Sequence, residues 1–152
     1  MPTAFLDRDG VLNVDKGYVS RQEDFEWVEG AKEAVDWLRA SGYRVVIVTN
    51  QSGIGRGYYS ESDFLRLMES VLGEIEVDAV FYCACSPESG CPWRKPGTGM
   101  LEAADRIAAV DRARSFLVGD KESDLEAAVR FGVRAIEFRG GNLFRKLTAE
   151  LA

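Results

Sequence analysis

The run Tyr43-Arg44-Val45-Val46-Ile47-Val48-Thr49 is β-branched and almost wholly apolar. A strand with one wet face alternates apolar and polar residues. A run without alternation has to be covered on both faces, as a strand inside a parallel sheet is. Shorter apolar runs recur at residues 4–6, 79–82, 115–118 and 134–138. Between them stand stretches with helical spacing: Ala31, Ala34, Val35 and Leu38, then Phe64, Leu67, Met68, Val71 and Leu72. Two more follow, Leu101, Ala104, Ile107 and Ala108, then Leu125, Ala128 and Val129. Gly42 and Gly132 act as stop signals. Ser60-Glu61-Ser62-Asp63 reads as a capping box, and residues 143–151 predict a short last helix. Strand and helix in alternation imply an α/β fold, a doubly wound, mostly parallel sheet with helices on both faces and right-handed crossovers. The chain has 152 residues, 46% of them hydrophobic, which predicts one compact domain over residues 1–152 with a full core.

Sheets of this kind bind ligands beyond the carboxyl ends of their strands, at the point where the strand order reverses. Polar residues stand after each strand in turn: Asp7 and Asp9, then Thr49 and Asn50, then Arg94 and Lys95, then Asp120 and Lys121. Asp7 and Asp9 are spaced i, i+2, so on an extended backbone they lean the same way, with Arg8 turned aside. Alone, Asp7-Arg8-Asp9-Gly10 reads equally as a solvated turn. Four loops that bring carboxylates, a hydroxyl and cations to one edge favour a site. Two carboxylates that close need a cation or a shared proton between them. Asp7, Asp9 and Asp120 suit a hard cation such as Mg2+. Lys95, Lys121, Arg94 and the Thr49 hydroxyl suit phosphoryl oxygens. A carboxylate can attack phosphorus, and a second, protonated one can supply the leaving oxygen with its proton.

Other chemistries are excluded. The chain has no histidine, which removes Ser-His-Asp and Cys-His nucleophiles and His-ligated zinc enzymes. A net charge of -6 argues against non-specific binding to nucleic acid or to an anionic membrane. Met1-Pro2-Thr3 leads into the first strand without a basic, then apolar, leader, and no apolar run reaches membrane-spanning length. A cytoplasmic location is the default expectation. Gly53-Ile54-Gly55-Arg56-Gly57 lacks the spacing of a dinucleotide loop, and no phosphate-binding Gly-rich loop with Lys-Ser/Thr is present.

Asp7-Arg8-Asp9-Gly10, Thr49, Lys95 and Gly119-Asp120-Lys121-Glu122-Ser123-Asp124 resemble, in order, the four motifs of the haloacid dehalogenase superfamily phosphatases. The stretches 6–19, 48–57, 94–101 and 118–128 are most similar to the branch acting on heptose 1,7-bisphosphate, with histidinol-phosphate phosphatases as the neighbouring alternative. The resemblance implies Asp7 as nucleophile, Asp9 as general acid/base, and Thr49 and Lys95 as stabilisers of the transferring group. It implies Mg2+ on the Asp7 carboxylate, the Asp9 main-chain carbonyl and Asp120. Substrate contacts would come from Asp15, Lys16, Gly17, Tyr18, Asn50, Gln51, Ser52, Arg94 and Lys121. The substrate would be a small phosphorylated sugar and the enzyme a monomer. The motif intervals hold only loops and single helices, so no large cap domain is expected over the site.

The chain departs from that family in one loop. There the family holds a structural zinc with Cys-x-His and Cys-x-Cys ligands. Here Cys85 falls at the His position and Trp93 at the final Cys, leaving Cys83, Cys85 and Cys91. Structural zinc takes four ligands. Glu88, water or nothing would supply the fourth, and packing of Trp93 with the thiols reduced is the alternative. Asp124 would orient Lys121 or a metal-bound water, or cap a helix. A non-enzymatic rival, a receiver-like phospho-accepting domain, would place its acceptor Asp after the third strand, where Tyr82-Cys83 stand.

Overall fold

The structure, a computed structural model, describes residues 1–151. Five strands form one sheet: β1 (Thr3–Leu6), β2 (Arg44–Asn50), β3 (Ala79–Cys83), β4 (Phe116–Gly119) and β5 (Arg134–Glu137). All neighbours are parallel, in the order β3-β2-β1-β4-β5. The helices are α1 (Ala31–Ala40), the four-residue α2 (Ser52–Gly55), α3 (Glu61–Leu72), α4 (Gly99–Ile107), α5 (Glu122–Phe131) and α6 (Leu143–Leu151). No cap domain is inserted among the described residues. No described helix is long and apolar enough to cross a membrane.

Alternation along each strand sorts its side chains into two layers. Leu6, Ile47 and Val118 pack with Ala34 and Leu38 of α1, Phe64 and Met68 of α3, and Leu143 and Leu147 of α6. Phe5, Val46, Val48 and Leu117 face the other way, onto Met100 and Leu101 of α4 and Ala128 and Phe131 of α5. Trp27 and Trp37 lie partly buried against the first layer. Both layers bury β2, as its unbroken apolar run requires.

The capping box forms as read: Ser60 Oγ accepts from the Asp63 N–H, and Asp63 accepts from the Ser60 N–H, both at 3.0 Å. Three residues read as core-facing are outside. Leu72, Ile107 and Val129 are exposed, the last two by 70% and 72%. Helices α4 and α5 are rotated so that Met100 and Ala103, and Ala127 and Phe131, point inward instead.

Candidate active site

Strand order decides what meets. β1 and β4 are neighbours, with Leu6 opposite Val118, and the Asp7 N–H donates to Val118 O at 3.1 Å. Asp7 at the end of β1 therefore lies beside Asp120 at the end of β4. Carboxylate oxygens of Asp7, Asp120 and Asp124 lie within 4.8 Å of one another. Gly10, with φ +92°, lets the chain turn past them; a Cβ there would collide with the Asp120 carboxylate.

The ammonium of Lys95 enters this group from the loop after β3. It is buried and donates to Asp7 Oδ1 (3.1 Å), Val48 O (2.9 Å) and Asp124 Oδ1 (2.5 Å). Asn50 fixes that loop: its amide donates to Lys95 O at 3.2 Å, and its carbonyl oxygen accepts from the Lys95 N–H at 3.1 Å. Burial works against the Lys95 charge, but Asp7 and Asp124 outweigh it and raise its pKa. Burial also pushes Asp7 up to about 8; Lys95 opposes this, while Asp124 and Asp9 add to it. Three carboxylates around one ammonium leave excess negative charge, which a proton or a cation must balance.

Asp9 sits beside this group in a different setting. Its Oδ1 accepts from Arg8 (2.8 Å) and Asn13 (3.0 Å), and its Oδ2 from Gln51 Nε2 (3.0 Å). Arg8 is fully buried and also donates to Val19 O at 2.7 Å. It was expected to turn aside; it is the buried counter-charge of Asp9. Gln51 Nε2 also donates to Thr49 Oγ1 at 2.9 Å, and Tyr59 OH donates to Gln51 Oε1 at 2.5 Å. Thr49, Gln51 and Tyr59 are all buried. Sequence alone missed Arg8, Asn13 and Tyr59. A polar residue inside the otherwise apolar run after Asp9 was the available signal for Asn13.

A cavity of about 350 Å³ opens in front of Asp9, lined by Asp15, Gly17, Tyr18, Asn50, Gln51, Ser52, Arg56, Tyr59, Pro87, Arg94 and Lys121. Most residues expected to contact substrate are among these. Lys16 is not: its ammonium turns to Glu26 at 3.2 Å on the outside. Lys121 stands near Asp15, 3.6 Å apart, and Arg94 donates to Cys85 O at 3.4 Å. Tyr18, at φ +52°, packs edge-on against Tyr58.

The chemistry of the donors fits Mg2+. They are hard oxygens, and the buried Oδ1 of Asp120 has no hydrogen-bond partner, an orphan that a cation would satisfy. Burial raises the Asp120 pKa. Asp124 is the acid that completes the group, whereas the Asp9 carboxylate is engaged elsewhere. Asp124 also caps α5, accepting from the Lys121 N–H at 3.2 Å. The sulfurs of Cys83, Cys85 and Cys91 lie within 4.8 Å of one another, and no fourth His, Cys, Asp or Glu joins them among the described residues. Three donors do not complete a tetrahedral zinc site. Trp93 holds the loop by packing on Phe81 and donating to Tyr82 O at 2.8 Å.

The chain is similar to known proteins over most of its length. The family described as polynucleotide kinase 3 phosphatase matches residues 3–130. The D-glycero-beta-D-manno-heptose-1,7-bisphosphate 7-phosphatase of Helicobacter pylori is 42% identical over 86% of this chain and 78% of its own. The alpha-anomer enzyme of Burkholderia mallei is 45% identical over 85% of this chain and 75% of its own. Among solved structures, the D,D-heptose 1,7-bisphosphate phosphatase of B. bronchiseptica, complexed with magnesium and phosphate, superposes with a TM-score of 0.83. It is 34% identical and covers 98% of this chain and 87% of its own.

Proposed function

The chain belongs to the haloacid dehalogenase superfamily of phosphatases, the family of these relatives, and on that premise we propose that it removes the 7-phosphate of D-glycero-D-manno-heptose 1,7-bisphosphate. The observation that carries this reading is the meeting of Asp7, Lys95 and Asp120 at the ends of β1 and β4, with Asp9 alongside.

In this reading an Asp7 oxygen attacks the phosphorus and forms an aspartyl-phosphate. Asp9 gives its proton to the departing sugar oxygen, then takes one from the water that hydrolyses the intermediate. Lys95 and the Thr49 hydroxyl meet charge on the phosphoryl oxygens. Gln51, Arg8 and Asn13 aim Asp9, and Asn50 holds the main chain of Lys95. Asp7, Asp120 and the Asp9 carbonyl would hold Mg2+, with Asp124 beside them; bound there, the ion supplies charge neutralisation between nucleophile and phosphate. Ser52, Tyr18, Asp15, Arg94 and Lys121 line the path for the sugar. The loop after β3 delivers Arg94 and Lys95, while its three cysteines do not line the cavity.

The test is Mg2+-dependent phosphate release from a panel: both anomers of the heptose bisphosphate, histidinol phosphate, and an oligonucleotide with a 3′-phosphate. The bisphosphates should give the highest kcat/KM, and Asp7→Asn should abolish release. Preference for the oligonucleotide, or release undiminished by Asp7→Asn, rules the reading out.

A further inference from the structure

The cavity in front of Asp9 has cations in its wall beside the carboxylates of Asp9 and Asp15. Lys95 stands behind it on Asp7, Asp124 and Val48 O and does not line it. Three other cations do: Arg94, Lys121 and Arg56. The first two belong to the reading above, but nothing in it uses Arg56. Arg56 follows α2, and its backbone is fixed by its N–H on Ser52 O (2.9 Å) and by the Gly57 N–H on Ile54 O (3.1 Å). Its guanidinium faces the Glu88 carboxylate, 3.8 Å away, with side chains 32% and 73% exposed. That spacing is beyond a hydrogen bond, and a pair so wet is loose. Glu88 neighbours Pro87, which itself lines the cavity. A planar guanidinium on a fixed backbone, with a loose partner at the edge of a cavity, is matched to a bidentate anion.

We propose that Arg56 binds the second phosphate of the substrate, the one left uncleaved, and that Glu88 is its displaceable partner between turnovers. The inference rests on the bisphosphate reading above. The cations of the site then have separate roles. Lys95 serves the phosphoryl group on Asp7, and Arg56 recognises that the substrate carries another. Glu88 competes with the second phosphate for Arg56, and a ligand without that phosphate leaves the pair as it stands.

The experiment compares kcat/KM for the heptose 1,7-bisphosphate and the heptose 7-phosphate. Wild type, Arg56→Gln, Arg56→Lys and Glu88→Gln are each checked for folding by circular dichroism. The bisphosphate-to-monophosphate ratio should fall about 10- to 100-fold in Arg56→Gln, the weight of a charge-assisted hydrogen bond, mostly through KM. Arg56→Lys should fall less, and Glu88→Gln should raise the ratio. A ratio unchanged in both Arg56 variants, or lowered by Glu88→Gln, makes the pair a strut between loops and overturns the inference. Should Arg56→Gln not fold, Arg56→Lys and Glu88→Gln decide by the same ratio. A wild type that does not prefer the bisphosphate fails earlier: it removes the substrate reading and this inference with it.

Discussion

The Asp9 carboxylate is held by three donors from three places: Arg8 next to it, Asn13 four residues on, and Gln51 from beyond β2. Such a carboxylate has little freedom to tilt, and a general acid works only when its proton points at the leaving oxygen. Asp9→Ala should therefore slow both formation and hydrolysis of the aspartyl-phosphate, by about 10²–10⁴-fold. Rapid-quench measurement of the phosphoenzyme checks both steps; near-normal turnover would remove Asp9 from its role. Gln51→Glu places a carboxylate against Asp9 where a donor stood, so kcat should drop while the fold persists. Steady-state kinetics beside a thermal melt reads that separation. At this scale Asp7, Asp9, Thr49, Lys95 and Asp120 were legible, because each stands at a strand end or in the loop that follows one. Arg8 was not. The period-two rule turned it away from Asp7 and Asp9, and nothing local says that a charged side chain turning away enters the core and reaches back. Tyr59 acts on Asp9 only through Gln51, a contact no spacing announces.

Helix α5 begins in the site. Asp124 accepts from the Lys121 N–H and so caps the helix, and its other oxygen holds Lys95. Helix α3 has a similar cap in Ser60, far less buried and engaged with the helix alone. The two caps separate stability from catalysis. Ser60→Ala should cost about 0.5–2 kcal/mol and leave phosphate release near wild type. Asp124→Ala should cost more, because it also leaves the buried Lys95 ammonium short of a partner, and it should lower kcat as well. Urea unfolding and a phosphate assay on both variants measure the contrast; equal losses would mean that Asp124 is only a cap. The same residue explains why the inward face of α5 was misread. Apolar periodicity counts Leu125, Ala128 and Val129, but the buried face is Asp124, Ala127, Ala128 and Phe131. A carboxylate turned into the protein to serve Lys95 is invisible to a rule that looks for hydrophobes. Strand β2 was legible for the opposite reason: all but its last residue are buried, and its apolar run can be read only one way.

For the whole molecule, the reversal of strand order between β1 and β4 gathers Asp7, Asp120 and Asp124 at one buried point, and folding has to accommodate their charge. Burial raises Asp7 from 3.8 to about 8 and raises Asp120 as well. Without metal the folded protein keeps a proton that the unfolded chain has released above about pH 4. Asp7 thus contributes stability that is complete below that pH and is lost progressively as pH rises to about 8. Mg2+ acts in the opposite sense. It needs the ionised carboxylate, so its binding displaces the proton, and stabilisation by a fixed Mg2+ concentration grows over the same interval. Melting curves in EDTA and in excess Mg2+, for wild type and Asp7→Asn, test both halves. Wild-type stability in EDTA should fall from about pH 5 to about pH 8, while the Mg2+ increment widens. Asp7→Asn, which has no proton to hold or release at that position, should show a much flatter dependence of both. A wild-type dependence in EDTA as flat as that of Asp7→Asn would mean that Lys95 alone keeps Asp7 ionised. The cluster would then be balanced before any cation arrives, and the metal would be recruited by Asp120, whose buried oxygen has no other partner.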